Sequence, residues 1–238
     1  MTTAPVVSAN NEYLEIAVDT LRRGGLLISP TTTNYNILCD ATNPDAVARV
    51  FEVKRRVKYG PLPVSVPYPD RIPEYVTLRG ADDERMLSDL LPGEVSFIYR
   101  QRYPFPEKLT CGSATVAVSC TTHPVMRSIV IGLDGPVAAT SANISGQGNI
   151  FVPLTKALED VGHLVDLVID AGPTAAELAG SGDRVNTIVD LTRAMPYVVR
   201  RGWVPLERLR PYLPNLVEDV REYEKLNETE RSRPATSS

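Results

Sequence analysis

The sequence predicts an α/β fold built on a mixed sheet of parallel and antiparallel strands. Short apolar segments that fit buried strands alternate with amphipathic helical segments through most of the 238 residues, an order typical of α/β proteins. Two apolar segments, at 187–191 and 197–199, are divided only by a turn near Arg193, which predicts an antiparallel pair. The length predicts one domain, placed at 12–213. We expect a disordered N-terminus at 1–11, and a charged C-terminal helix or tail at 214–238 that is disordered from Thr229.

Each element is predicted from apolar spacing and from the residues that begin or end it. Leu14, Val18 and Leu21 lie at helical spacing, so a helix is expected from about residue 12 until Gly24-Gly25, before a strand at 26–28. Pro30 should end that strand and begin a polar loop through Asn36. The later predictions are strands at 62–66, 95–99, 115–118, 136–139 and 167–169, and helices at 82–91, 124–129 and 154–161.

Composition excludes several classes of protein. The net charge is −4 and the pI is about 5.3, which argues against a dedicated nucleic-acid binder and leaves direct binding of nucleic acid uncertain. Cys39, Cys111 and Cys120 are widely spaced, which predicts reduced thiols rather than a disulfide or a zinc site. The N-terminus has no signal-peptide pattern and no apolar run approaches the roughly 20 residues of a membrane helix. We therefore expect a cytoplasmic protein without membrane contact.

The first candidate cluster follows the strand at 26–28. Thr31, Thr33 and Tyr35 could present hydroxyls to a ligand at a strand end, where open α/β sheets bind ligands. A plain Thr and Asn turn is the structural alternative.

Cations form the second cluster. Asn43-Pro44 predicts the start of a helix, and Lys54, Arg55 and Arg56 would occupy its last turn, with Lys58 on the same face as Lys54 if the helix continued. Arginine and lysine side chains match the oxygens of a triphosphate. The alternative is a solvated basic helix end.

The third cluster leaves the strand at 136–139. The segment 140–146, Thr-Ser-Ala-Asn-Ile-Ser-Gly, combines small residues with hydroxyl and amide groups that can bind phosphate or ribose. A structural turn is again the alternative. Ser141 is not expected to be a hydrolase nucleophile because the Gly-x-Ser-x-Gly pattern is missing. We expect His123 to cap or pack a helix, and Trp203 to lie in the core or a cleft wall.

Seven short motifs occur in order between about Leu14 and Leu213. They are 30–41 (PTTTNYNILCDA), 54–56 (KRR), 92–96 (PGEVS), His123-Pro124, 141–143 (SAN), 186–190 (NTIVD) and 200–202 (RRG). In this order they resemble the motifs of the YrdC-like family, whose members include L-threonylcarbamoyladenylate synthases.

The resemblance implies a twisted, mixed parallel and antiparallel open sheet with flanking helices and a concave basic cleft. Such members combine ATP, bicarbonate and L-threonine into L-threonylcarbamoyl-adenylate and release pyrophosphate, and a separate transferase uses the product in the t6A modification of tRNA. Lys54 and Arg56 would be catalytic, holding the triphosphate and the carbamate. Mg²⁺ would accompany ATP, and no protein metal site is expected. The ATP site would comprise Thr115, Thr140, Ser141, Asn143 and Arg200, and the substrate pocket Thr31, Thr33, Tyr35, Pro61 and Leu62.

The sequence also departs from the family pattern. Gly60 and Ser119 replace a lysine and an arginine, and Asn36 and Leu38 replace two glycines. These departures favour an ATP-dependent enzyme that activates a different small amino acid or carboxylate, for which L-threonine with bicarbonate would be a poor substrate pair. Two alternatives remain open: a genuine L-threonylcarbamoyladenylate synthase, and a non-catalytic module that binds nucleotide or RNA.

Overall fold

The computed structural model describes residues 4–10, 12–55, 60–147, 151–180 and 185–231. Within these ranges eleven strands form one sheet. The strands are β1 Val6–Ser8, β2 Leu27–Pro30, β3 Tyr35–Asp40, β4 Val64–Ser65, β5 Val76–Thr77, β6 Gly93–Gln101, β7 Thr115–Cys120, β8 Val137–Ser141, β9 Leu167–Asp170, β10 Thr187–Asp190 and β11 Tyr197–Arg200. The helices are α1 Tyr13–Arg22, α2 Pro44–Val53, α3 Ile72–Tyr75, α4 Ala81–Leu90, α5 Glu107–Thr110, α6 Pro124–Leu133, α7 Leu154–Val161, α8 Ala175–Leu178 and α9 Val220–Arg231.

The sheet is mixed, as the sequence predicts. Its strand order is β1-β9-β2-β3-β8-β4-β7-β6-β10-β11, with β5 paired to β6. Strands β1 and β2 both run parallel to β9, β4 runs parallel to β7, and β6 runs parallel to β10. The antiparallel pair predicted near Arg193 is confirmed as β10 and β11, with Val189 opposite Val198.

Two apolar clusters cover the two faces of the sheet. Because successive strand residues point to opposite faces, Ile37 and Leu38 of β3 enter different clusters. Leu38 packs in the cluster that contains Leu21 of α1 and Ile129 of α6. Ile37 packs in the larger cluster with Val47 of α2. The helices thus flank the sheet, and the face that carries α1 and α6 also carries the site described below.

Local sequence signals correctly predicted where several helices begin or end. Asn43 caps α2, because its Oδ1 accepts hydrogen bonds from the backbone N–H groups of Asp45 (3.0 Å) and Ala46 (3.1 Å). Helix α7 has the predicted bounds, and α6 begins at Pro124 as expected but continues for another turn to Leu133.

The loop expected from Pro30 to Asn36 is partly wrong. Strand β2 continues through Pro30, and β3 begins at Tyr35, opposite Pro30 in the antiparallel pair. Proline is tolerated here because the pairing of β2 with β9 ends at Ile28, so Pro30 lies on a part of the strand that is paired on one side only, like an edge strand. Strand β3 was not predicted because Asn36 and Asp40 are polar. The pattern nevertheless fits a half-buried strand, since buried residues occupy the alternate positions Tyr35, Ile37 and Cys39.

Two other expectations need correction. Helix α2 ends at Val53, and Arg55 takes a left-handed conformation (φ 46°) that turns the chain away from the helix axis. Lys54 is therefore the residue after the helix, and Arg56 and Lys58 lie outside the described residues. At the N-terminus, expected to be disordered over 1–11, Val6–Ser8 forms the edge strand β1 against β9.

The C-terminal segment is attached to the domain. The predicted helix is α9, and its Tyr223 hydroxyl donates a 3.0 Å hydrogen bond to Oδ2 of Asp190 at the end of β10. Helix α9 reaches Arg231, so disorder expected from Thr229 begins too early; residues 232–238 lie outside the described ranges. None of the helices in the described part of the chain has the length and hydropathy of a membrane span.

Candidate functional site

A cavity of about 310 Å³ opens on the face of the sheet that carries α1 and α6. Its described walls come from strands β3, β4, β6, β7, β8, β10 and β11 and from the loops beside them. Most of the polar lining consists of hydroxyl and amide side chains. The lining residues are Thr31, Thr33, Asn34, Asn36, Pro61, Pro63, Ser65, Glu94, Ser96, Ser119, Thr121, Met126, Ala139, Thr140, Ser141, Val185, Asn186, Ile188 and Arg200.

Strand register gathers these residues from distant parts of the sequence. Asn36 of β3 pairs with Ser141 of β8, and Ser65 of β4 pairs with Ser119 of β7. On the other side, Ser96, Ile188 and Arg200 are successive partners across β6, β10 and β11. The cavity is therefore a stretch of sheet surface where small polar residues replace apolar ones.

The turn between β2 and β3 is closed by its own hydrogen bonds. Thr31 Oγ1 donates to the carbonyl of Asn34 (2.7 Å) and accepts from the Asn34 N–H (3.0 Å). The Asn34 side chain in turn accepts a 2.7 Å bond from the N–H of Val152. These bonds hold Thr31 and Thr33 at the cavity with both hydroxyls buried.

Lys54 connects the end of α2 to the turn that follows β8. Its buried Nζ donates to the carbonyl oxygens of Ser141 and Asn143, the latter at 2.8 Å, and lies 3.3 Å from Asn143 Oδ1. Ser141 Oγ donates to the same Oδ1 at 2.6 Å. The ammonium group therefore fixes the geometry of this turn. Lys54 and Asn143 lie behind the cavity wall, whereas Thr140 and Ser141 form part of it.

Two residues of the described lining carry formal charge, Arg200 and Glu94. Arg200 Nε donates a 3.0 Å bond to the carbonyl of Asn186, and burial lowers the pKa of the guanidinium. Glu94 Oε1 accepts bonds from the hydroxyls of Thr32 (2.7 Å) and Thr122 (2.6 Å). The positive charge expected of the cleft stays a prediction, since Arg56 and Lys58 fall outside the described residues.

The structure brings together six of the residues singled out from the sequence: Thr31, Thr33, Pro61, Thr140, Ser141 and Arg200. Besides Lys54 and Asn143, three others do not line the cavity. Tyr35 is on the opposite face of β3, where its hydroxyl donates to the carbonyl of Gly172 (2.6 Å). Leu62 is fully buried in the larger apolar cluster. Thr115 begins β7, at the end of that strand remote from Ser119, and its hydroxyl contacts that of Ser113 (2.8 Å).

Sequence reasoning missed Ser65, Glu94 and Ser96 as cavity residues. Glu94 and Ser96 are two positions apart in the first half of β6, where Val95 and Phe97 are apolar, so both point to one face. That interruption by two polar residues was a signal for a polar surface. Ser65 gives a second one, because its buried hydroxyl has no hydrogen-bond partner among the described residues.

His123 precedes α6 but makes no side-chain capping bond. Its Nδ1 is buried without a hydrogen-bond partner in the described ranges, and burial lowers the pKa of the imidazole. His123 therefore occupies the N-cap position of α6, and its side chain packs there without a capping hydrogen bond.

A comparison with known protein families assigns the chain to one of them. The Sua5/YciO/YrdC family model, described as "Telomere recombination", matches residues 19–202. The chain belongs to the Sua5/YciO/YrdC family. Its fold and motif order thus agree with the resemblance found in the sequence.

Relatives in this family have a named activity. The threonylcarbamoyl-AMP synthase of Bos taurus is 30% identical over 196 residues, covering 82% of this chain and 70% of the relative. That of Pyrococcus abyssi is 28% identical over 196 residues, which are 82% of this chain and only 56% of that protein. The chain therefore spans little more than half of the archaeal relative.

A solved structure of the Sua5/YciO/YrdC family is also similar. The crystal structure of Pyrococcus abyssi Sua5 complexed with L-threonine has a TM-score of 0.81 and 26% sequence identity. The match covers 91% of this chain and 62% of that one.

Proposed function

We propose that this chain makes L-threonylcarbamoyl-adenylate. L-Threonine, bicarbonate and ATP would combine to give the mixed carbamic–phosphoric anhydride, pyrophosphate and water. The observation that carries this proposal is a hydroxyl-rich cavity with one guanidinium in a fold similar to that of Sua5, which has been solved with L-threonine.

The reaction joins anions, so positioning and charge neutralisation supply most of the catalysis. The carbamate oxygen attacks the α-phosphorus of ATP while pyrophosphate leaves, and both reactants carry negative charge. Arg200 suits this task because its two terminal nitrogens have no hydrogen-bond partner among the described residues, while Nε is fixed on Asn186. Two free donors on one planar group match two oxygens of a phosphate.

The remaining roles follow from position around the cavity. Thr140 and Ser141 would bind the nucleotide at the end of β8, and Thr31, Thr33 and Pro61 would line the pocket for the amino acid. Lys54 would act through the turn it holds rather than on the phosphates, and Arg56 remains our candidate for the triphosphate.

Mg²⁺ would enter with ATP as part of that substrate. The described residues contain no group of three His, Cys, Asp or Glu side chains arranged to hold a metal. Mg²⁺ is often held by substrate phosphates with one or two carboxylates. A phosphate-bound ion would supply charge neutralisation.

The names of the relatives support L-threonine over the altered substrate expected from the sequence. The replaced cations at Gly60 and Ser119 then require a different distribution of charge within the same site, not a different reaction. A separate transferase would carry the product to tRNA, so the chain itself need not bind RNA.

The test is pyrophosphate release by the full chain with L-threonine, bicarbonate and Mg-ATP, with the product identified by mass spectrometry. We expect release that depends on all three substrates. Ser141→Ala should reduce it at least tenfold, whereas Ser88→Ala, an exposed change on α4, should leave it unchanged. ATP binding without turnover would instead favour the non-catalytic module, and release only with another amino acid would restore the altered-substrate hypothesis.

A further inference from the structure

Glu94 places a carboxylate inside the cavity and holds it there. The residue is 5% exposed and lines the cavity near the start of β6. Its Oε1 accepts bonds from Thr32 at 2.7 Å and Thr122 at 2.6 Å, which approach from two separate segments of the chain. The side chain is therefore fixed on the cavity wall and does not extend into solvent.

The second carboxylate oxygen is not used by the protein. Oε2 of Glu94 has no hydrogen-bond partner in the described ranges, and no described Lys or Arg forms an ion pair with the residue. Oε2 is not fully enclosed by the protein, so it is open to the cavity and a ligand group can reach it. A cationic group there would offset the cost of placing a carboxylate in this largely enclosed position.

The surroundings of Glu94 fit an ammonium group. Such a group has three donors and needs three oxygen acceptors. Besides Oε2, the wall offers the hydroxyl of Ser96 on the same face of β6 and that of Ser119 on the adjacent strand β7. One carboxylate balances the single charge of an ammonium, whereas a divalent cation would keep an uncompensated charge there.

Arg200 supplies the opposite charge on the same side of the cavity. Ser96, Ile188 and Arg200 are partners across three adjacent strands, so Arg200 lies two strands from the strand of Glu94, roughly 10 Å between backbones. The phosphates of ATP, assigned above to Arg200, and an ammonium group at Glu94 would therefore occupy separate parts of the cavity.

We propose that Glu94 binds the α-ammonium group of the amino-acid substrate and so selects amino acids over hydroxy acids. This inference rests on the proposed function for the identity of the ligand, but it concerns binding and not turnover.

The test is calorimetric titration of the full chain without bicarbonate, so that no carbamate forms. The ligands are L-threonine and 2,3-dihydroxybutanoate, which replaces the ammonium by a hydroxyl. We expect the wild type to bind L-threonine and to bind the hydroxy acid much more weakly. Glu94→Gln should weaken L-threonine binding by about 10- to 100-fold, the effect of a lost charge-assisted hydrogen bond, and should not change binding of the hydroxy acid.

Two variants control for folding and for charge. Glu94→Asp keeps the carboxylate and should recover part of the affinity, while Glu15→Gln, on the exposed surface of α1, should match the wild type. Equal melting temperatures of wild type and Glu94→Gln would exclude misfolding.

The outcomes separate this inference from the proposed function. Unchanged L-threonine affinity in Glu94→Gln, or no L-threonine binding by the wild type, would overturn the inference. A Glu94→Gln variant that needs more Mg²⁺ for ATP binding, with L-threonine affinity unchanged, would identify a metal ligand instead and would also overturn it. Glu94-dependent binding without pyrophosphate release would overturn only the proposed function.

Discussion

The ammonium group of Lys54 contacts both the carbonyl oxygen and the side-chain oxygen of Asn143. Lys54 Nζ is 2.8 Å from the Asn143 carbonyl oxygen and 3.3 Å from Oδ1, and the carbonyl of Lys54 accepts a 2.9 Å bond from Ser145 N–H. The lysine that the sequence offers as a phosphate ligand is thus a tie between α2 and the turn after β8. This changes what its mutation should do.

Lys54→Met should destabilise the protein as well as reduce activity. It would leave the acceptors of Ser141 and Asn143 without their donor, and each one that water does not reach costs roughly 1–3 kcal/mol. The free energy of unfolding from urea titration measures this. Lys108→Met, an exposed change on α5, should cost much less. If Lys54→Met and Asn143→Ala were additive in a double-mutant cycle, the contact between Nζ and Oδ1 of Asn143 would carry no energy, and the stabilisation would come from the two backbone carbonyls.

Arg200→Lys should weaken ATP binding about tenfold or more and leave the fold intact. Lysine keeps the charge, but it cannot donate to Asn186 and to two phosphate oxygens from one planar group. Calorimetric titration with Mg-ATP measures the effect. Arg208→Lys, at an exposed position after β11, is the matched control, and an equal loss in both variants would contradict a specific role for Arg200.

The buried His123 predicts that the protein loses stability in mild acid. Burial lowers its pKa in the folded state from the ordinary value of 6.5, so below that pH the unfolded chain binds more protons. The contribution to the free energy of unfolding is fully present above about pH 6.5 and is lost as the pH falls toward the native pKa. Urea titrations between pH 5 and 8 measure it.

His123→Phe should flatten this pH dependence because the titrating group is removed, whereas Ser88→Ala, an exposed change on α4, should retain the wild-type profile. An identical slope in the wild type and in His123→Phe would show that other groups cause the loss of stability.

The Tyr223–Asp190 hydrogen bond predicts that α9 stabilises the domain. Tyr223→Phe removes a donor from a half-buried carboxylate contact of 3.0 Å and should cost about 1–2 kcal/mol in the free energy of unfolding. Tyr212→Phe, whose hydroxyl contacts exposed Asp89, should cost less. If deleting residues 220–238 left the melting temperature unchanged, α9 would be a dispensable tail, as the charge of that segment alone suggests.

The sequence by itself determined features that depend on neighbours along the chain. The Asn43 cap, the start of α6 at Pro124, the bounds of α7 and the α/β order all follow from side chains within a few residues of one another. The order of the seven motifs along the sequence indicated the family in the same way. Local interactions involve residues that are close together in the sequence, so they can be recognised without a structure.

Tertiary structure alone decided which polar groups face one another. Glu94, Ser65 and Arg200 come from different strands and meet only through sheet register, and Tyr35 faces away from the cavity only because β3 exists as a strand. The contacts of Lys54 could not be predicted for the same reason, because the oxygens that accept from its Nζ come from residues 141 and 143. Such contacts depend on strand order and pairing over long sequence separations, which no local pattern of residues encodes.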